Sequence, residues 1–178
     1  MYRSCVRPRE LRRSALDMMF VKTLSFFWIL LMVVGAFAQT KSFDSPNKRA
    51  RAVIVPVGAR GYEAYESRLD IRSASGRLLR RKSFQSRDHN HGEGVAHGEW
   101  TADGRIFVFN TFSSGGHQPW HWFTHIYSIR TNRFYNLDSR ARAITSDFKL
   151  SGDTLLTTRL ADAGGADVPL TIRLARWR

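Results

Sequence analysis

Trp100-Thr101-Ala102-Asp103-Gly104-Arg105-Ile106-Phe107-Val108-Phe109 is the stretch that decides the fold. Thr, Asp and Gly side by side mark a tight turn, because Gly reaches left-handed angles and the short oxygen-bearing side chains bond the backbone near them. The β-branched and aromatic run that follows suits a pleated strand. The same order occurs twice more. Ser45-Pro46-Asn47 precedes Ala52-Val53-Ile54-Val55, and Ser151-Gly152-Asp153 precedes Leu155-Leu156-Thr157-Thr158. Asp44 and Leu150 stand where the central unit has Trp100. Further along each unit comes Leu69-Asp70-Ile71-Arg72, Tyr127-Ser128-Ile129-Arg130 or Leu170-Thr171-Ile172-Arg173, with the Ile-Arg pairs 58 and 43 residues apart. Spacing of that order signals repeated sheets. Short turns at Ala74-Ser75-Gly76 and Thr131-Asn132 lead into fourth strands over 77–84 and 133–137. No segment after residue 39 keeps an apolar face at helical spacing for three turns.

The pattern predicts an all-β chain: an antiparallel meander of about three blade-like sheets, the last without a fourth strand, with a β-sandwich as the alternative. Residues 100–109 resemble the Trp-Ser-Pro-Asp-Gly-Lys motif and following strand of the WD40-like propeller repeats found in TolB-type exported proteins. That resemblance implies propeller-like sheets, and an open or incomplete propeller, since closed rings usually have about four or more blades. Separately, Ser113-Ser114-Gly115-Gly116-His117-Gln118-Pro119-Trp120-His121 is similar to a string in small exported bacterial proteins of unknown function and implies no activity.

Of the 178 residues, 24–34 form an uncharged, almost wholly apolar run, preceded by Lys22 and followed by Ala36-Phe37-Ala38. A basic flank, a short apolar core and small residues before the cut describe a secretory signal peptide. Residues 1–38 are therefore expected to be removed after Ala38, leaving 39–178 as a single periplasmic or secreted domain. The true start is alternatively Met18 or Met19. The apolar run is shorter than the about 20 residues a spanning helix needs, so no membrane span is expected after cleavage. Cys5 is the sole cysteine and lies in this segment, which excludes a disulfide or a Cys-bound zinc within 39–178.

The net charge is +13; six basic and two acidic side chains fall in the first 38 residues, leaving +9 on the remainder. Such a balance favours anionic partners. Outside the cytoplasm these are acidic polysaccharides or other envelope components, and the compartment argues against nucleic acid. The densest basic run, Arg77-Leu78-Leu79-Arg80-Arg81-Lys82, reads as a solvated strand whose charges discourage edge-to-edge pairing.

Up-and-down connectivity would gather the long connections at one end of the sheets, where binding groups concentrate. Arg60, Tyr62, Tyr65, Arg87, Trp120 and Trp122 form the candidate ligand-binding set, with rings for stacking on sugars and guanidinium groups for pairing with carboxylates. Against this, Trp120, Trp122 and Phe123 also read as a hydrophobic plug. His89, His91 and Glu93 alternate, so an extended backbone would present them on one side, with His117 or His121 completing a site for a divalent metal such as zinc. With no Cys and no Gly-x-Ser-x-Gly elbow in 39–178, nucleophilic catalysis finds no support. The function expected is a non-enzymatic exported binding domain, without cofactor, for an anionic glycan or envelope component. The alternative is a metal-dependent lyase or hydrolase acting on acidic polysaccharide. A third reading is a homo-oligomer or partner subunit whose sheet edges another chain completes.

Overall fold

The computed structural model describes residues 40–57, 66–89, 91–113, 121–161 and 166–177. Residues 1–38, where an export segment cleaved after Ala38 and the alternative starts Met18 and Met19 are expected, lie outside these residues, as do Arg60, Tyr62, Tyr65, His117 and Trp120. The first sheet is a meander of β1 (Lys41–Asp44), β2 (Ala50–Pro56), β3 (Ser67–Ser73) and β4 (Leu78–Ser83). The second repeats it with β5 (Glu93–Trp100), β6 (Ile106–Ser113), β7 (Phe123–Ser128) and β8 (Arg133–Asn136). After a short helix α1 (Asp138–Ala141), the third has only β9 (Lys149–Ser151), β10 (Thr154–Arg159) and β11 (Val168–Arg173), followed by a 3-10 turn at Leu174–Trp177. Every pairing is antiparallel. The architecture is an open, propeller-like series of three sheets in place of a two-sheet sandwich. Among the described residues no helix is long and apolar enough to cross a membrane.

The turns that open the first two units are the same object. Thr101 N–H donates to Ile106 O, Ile106 N–H to Thr101 Oγ1, and Gly104 N–H to Thr101 O, while Asp103 Oδ1 accepts from Thr101 Oγ1 and Arg105 N–H. In the first unit Ser45 replaces Thr101, Asn47 replaces Asp103, and all five bonds recur. The left-handed residue is Gly104 in one and Lys48 in the other, at φ 66° and 56°. Gly104 has a second constraint. Asn47 Nδ2 donates to Asp103 O at 2.7 Å, joining the two turns, and a Cβ on Gly104 would lie 2.7 Å from the Asn47 amide. Gly104→Ala therefore combines left-handed strain with a clash at this joint and is expected to cost about 2 kcal/mol, read by urea unfolding; Gly76→Ala, with equal strain and open space around it, should cost less.

Equivalent bonds also align the ends of the third strands: Ala74 N–H to Arg49 O, Ile129 N–H to Arg105 O, and Leu174 N–H to Asp153 O. This corrects the Ile-Arg repeat read from the sequence. Ile126, not Ile129, occupies the place of Ile71, and Ile172 falls at the place of Arg72. The sheets recur, but those three Ile-Arg pairs are not equivalent to one another.

With the units aligned, the faces explain the core. β6 is buried from Ile106 to Thr111, and its side chains alternate between two clusters. Phe107 and Phe109, with Trp100 and Tyr127, pack on Ala50, Ala52, Ile54, Leu69 and Ile71 of the first sheet. Ile106, Val108 and Ile126 pack on Leu155 and Ile172 of the third. Each fully buried Phe or Ile contributes roughly 1.5–3 kcal/mol. The face that bears Trp100, Phe107 and Tyr127 in the second sheet bears Leu150, Leu155 and Ile172 in the third, and Asp44, Arg51 and Arg72 in the first. Charged groups thus cover the outer face of the first sheet, as a terminal repeat requires when its outer side meets water.

Candidate functional site

The two kinds of connection do separate. Tight turns meet at one end, through the Asn47–Asp103 bond. At the other, the residue that ends the first long loop, Glu66, is held by the connection from β4 to β5. Its carboxylate, 2% exposed as a residue, accepts from Ser86 N–H at 3.1 Å, from Ser86 Oγ, and from Gly92 N–H at 2.7 Å. These bonds outweigh desolvation and hold its pKa below the usual carboxylate range. The second long loop is tied in the same way. Trp122 N–H donates to Ile144 O at 2.9 Å, and His121 Nε2 lies 2.7 Å from Asp138 Oδ1.

The histidines at this end are pinned individually. His91 pairs with Asp88, His121 with Asp138, and His97 with Asp147 at 2.9 Å while stacking on Phe148 at 4.6 Å between centroids. His89 Nδ1 lies 2.8 Å from Gln85 Nε2. Among the described residues no group of three His, Cys, Asp or Glu side chains is placed to hold a metal. The extended run assumed for His89, His91 and Glu93 is absent, because His89 turns left-handed at φ 60° and β5 starts only at Glu93. Glu93 instead accepts the hydroxyl of Thr111 at 2.6 Å. Of the ligand-binding set, Arg87 is exposed and Trp122 packs against the second core cluster, which is the place of a plug. The described members of the metal set, His89, His91, Glu93 and His121, are each held by a separate partner.

What it does bring together was not picked out by motif. Beside β11 runs an open groove of about 500 Å³, floored by Leu137, Ala141, Leu170 and Ile172 and bordered by Arg140, Arg173 and Arg176. No carboxylate lines it, and none of the three arginines pairs with one among the described residues. Arg140 and Arg176 lie over the Trp177 ring, at 5.9 Å and 3.9 Å from its centroid. Trp177 is buried and anchored through its carbonyl, which accepts the Ser128 hydroxyl. Stacking on a fixed ring orients a guanidinium while leaving its N–H fork free. The one available sequence signal was the missing fourth strand of the last unit.

Among solved structures, the chain is similar to a protein of Clostridium novyi described as a conserved lipoprotein, with 12% identity and a TM-score of 0.48 over 80% of this chain and 91% of that one. It is also similar to the β-propeller domain, of open velcro topology, of the trilobed protease from Pyrococcus furiosus, at 10% identity and TM-score 0.45 over 78% and 40% of the two chains. TolB from Acinetobacter baumannii is similar at 11% identity and TM-score 0.40, over 78% and 31%. No family model and no curated protein matches the chain.

Proposed function

We propose that this chain is an exported, non-enzymatic binding domain for an anionic envelope component. The observation that carries the reading is the groove beside β11, where three exposed arginines border an apolar floor and no acidic side chain offsets them. Guanidinium groups take carboxylates in paired bonds, so a uronate or an acidic side chain suits the groove better than a diffuse charge does. The excess of +9 outside the export segment draws such ligands from a distance, and the apolar run of 24–34 followed by Ala36-Phe37-Ala38 supports export and cleavage after Ala38.

The purified chain is expected to be retained on polygalacturonate and polyglutamate but not on dextran, and to elute as salt rises past about 0.5 M, where screening shortens the reach of each charge to a few ångströms. Arg140→Gln with Arg176→Gln should remove most of that retention without changing the unfolding transition. Retention untouched by the substitutions would place the anion site elsewhere. Zinc at one equivalent per chain, carried through purification, would move the reading to a metal-dependent enzyme.

A further inference from the structure

The third sheet ends on β11, which has no strand on its outer side among the described residues, where the first sheet has β4 and the second β8. The register states which of its backbone groups are free. Leu174 N–H donates to Asp153 O at 2.8 Å, and antiparallel ladders alternate bonded and unbonded positions. Leu170 and Ile172 therefore turn their N–H and C=O toward β10, while Pro169, Thr171 and Arg173 turn theirs outward. Pro169 fits this assignment, because an edge strand tolerates proline where no N–H is asked for. Thr171 is exposed and keeps both donor and acceptor, while Arg173 keeps its donor and gives its carbonyl to the first bond of the final 3-10 turn. The basic groove runs along this same edge, lined by Leu170, Thr171, Ile172 and Arg173 from β11 itself.

We propose that the outer edge of β11 accepts an extended, acidic segment of a partner polypeptide as a fourth strand, its carboxylates paired with Arg140, Arg173 and Arg176. A polypeptide is favoured over a glycan because the edge offers alternating donors and acceptors at strand spacing, which only another backbone matches bond for bond. Charge selects the occupant. Residues 1–38 carry six basic and two acidic side chains and would meet the arginines with like charge, and a second copy of this edge would bring in three more arginines. A strand with Asp or Glu at alternate positions turns all its carboxylates to one side.

The inference rests on the anionic reading above for its charge preference and goes beyond it in geometry, so the test separates the two. The probe is an eight-residue peptide alternating Glu with Val or Thr, offered to the full chain beside the same peptide N-methylated at alternate amides. Binding of the unmodified peptide is expected to protect the Thr171 and Arg173 amides from hydrogen exchange. N-methylation on the pairing side should weaken binding about tenfold, the loss of one or two backbone bonds. Arg140→Gln with Arg176→Gln should weaken it too and reduce its dependence on salt. Equal binding of the N-methylated peptide, with no protection at Thr171 or Arg173, overturns strand pairing and leaves the anionic reading standing. Failure of every acidic probe, peptide or polyuronate, removes both. Protection of those two amides without any peptide shows the edge already taken, by this chain or a second copy told apart by mass in solution, and overturns the proposal.

Discussion

Asp70→Asn destabilises the folded chain by about 3 kcal/mol, lowering the thermal midpoint by roughly 10 °C. Asp70 lies in the centre of the charged outer face of the first sheet, with its side chain 1% exposed. Arg81 grips it with Nε at 2.7 Å and Nη2 at 2.9 Å, Arg72 Nη2 lies at 3.1 Å, and Arg68 Nε at 3.2 Å. The Arg81 bond, joined by the nearby guanidinium charges, holds the carboxyl below its ordinary pKa against the opposing effect of burial. Asn keeps the shape but carries no charge, so three guanidinium groups are left facing one another. The loss stays near the lower end of what breaking a buried pair costs, because the arginines are between about a third and a half exposed and water screens them. Two comparisons identify the cause. Asp44→Asn, which breaks the exposed pair with Arg51 on the same face, should leave the midpoint where it is. Added salt should recover part of the Asp70→Asn loss, since what remains is repulsion among solvated charges. A variant whose deficit is indifferent to salt would point to lost hydrogen bonds alone. Because the native carboxyl has a lowered pKa, its stabilisation is in force above the ordinary carboxylate value, declines below it, and is lost once pH falls through the lower pKa of the folded chain.

The position of Asp70 also marks where sequence reading succeeds and where it stops. Ser45 and Thr101 announce their turns because the bonds that build such a turn are made within five residues, and local chemistry is visible locally. β6 was equally plain, since alternation and aromatic content need no partner to be recognised. Which face of a sheet has a neighbour is not local. Asp44 looked like a departure from the motif at the place of Trp100; it is the right residue for a face with water beyond it, paired there with Arg51. The Ile-Arg repeat misled because Ile129-Arg130 lies in the turn after β7 whereas Ile71-Arg72 and Ile172-Arg173 lie within β3 and β11, and a strand pattern constrains only every second position. The six histidines between 89 and 125 suggested a cluster. Two of them, His121 and His97, pair with Asp138 and Asp147, which arrive from the connection between the second and third sheets. The arginines of the groove come from α1, β11 and the final turn, scattered parts that only the missing strand unites.

The structural counterpart of Asp70 in the second sheet is His125, and the exchange predicts a second large effect, in the opposite chemical sense. There the face is covered: His125 is 4% exposed, 5.1 Å from the Phe109 ring and 5.5 Å from that of Phe84. Its Nε2 lies 3.2 Å from Thr111 Oγ1. Since Thr111 gives its only hydroxyl proton to Glu93, the histidine must donate to Thr111, so Nε2 carries the proton and Nδ1 is a bare acceptor. That Nδ1 is buried without a partner. Burial, reinforced by the nearby Lys82 ammonium, drives the pKa of His125 from 6.5 down to about 3. The unfolded chain therefore takes up a proton below pH 6.5 that the folded chain refuses. Stability is intact above that value and falls by about 1.4 kcal/mol for each pH unit below it. Between pH 6.5 and 4.5 the loss from His125 should reach roughly 2.5 kcal/mol, with Glu66 adding to it in the same direction only toward the lower end. His125→Leu, close in volume and with no unpaired acceptor to bury, should match or exceed the native chain at pH 7 and flatten this slope, as read from urea midpoints across the range. Parallel curves for the two proteins would mean that the proton enters elsewhere. A flattened curve would establish that one alignment position serves charge on an open face and neutrality on a closed one, and that the second sheet is sealed by the first.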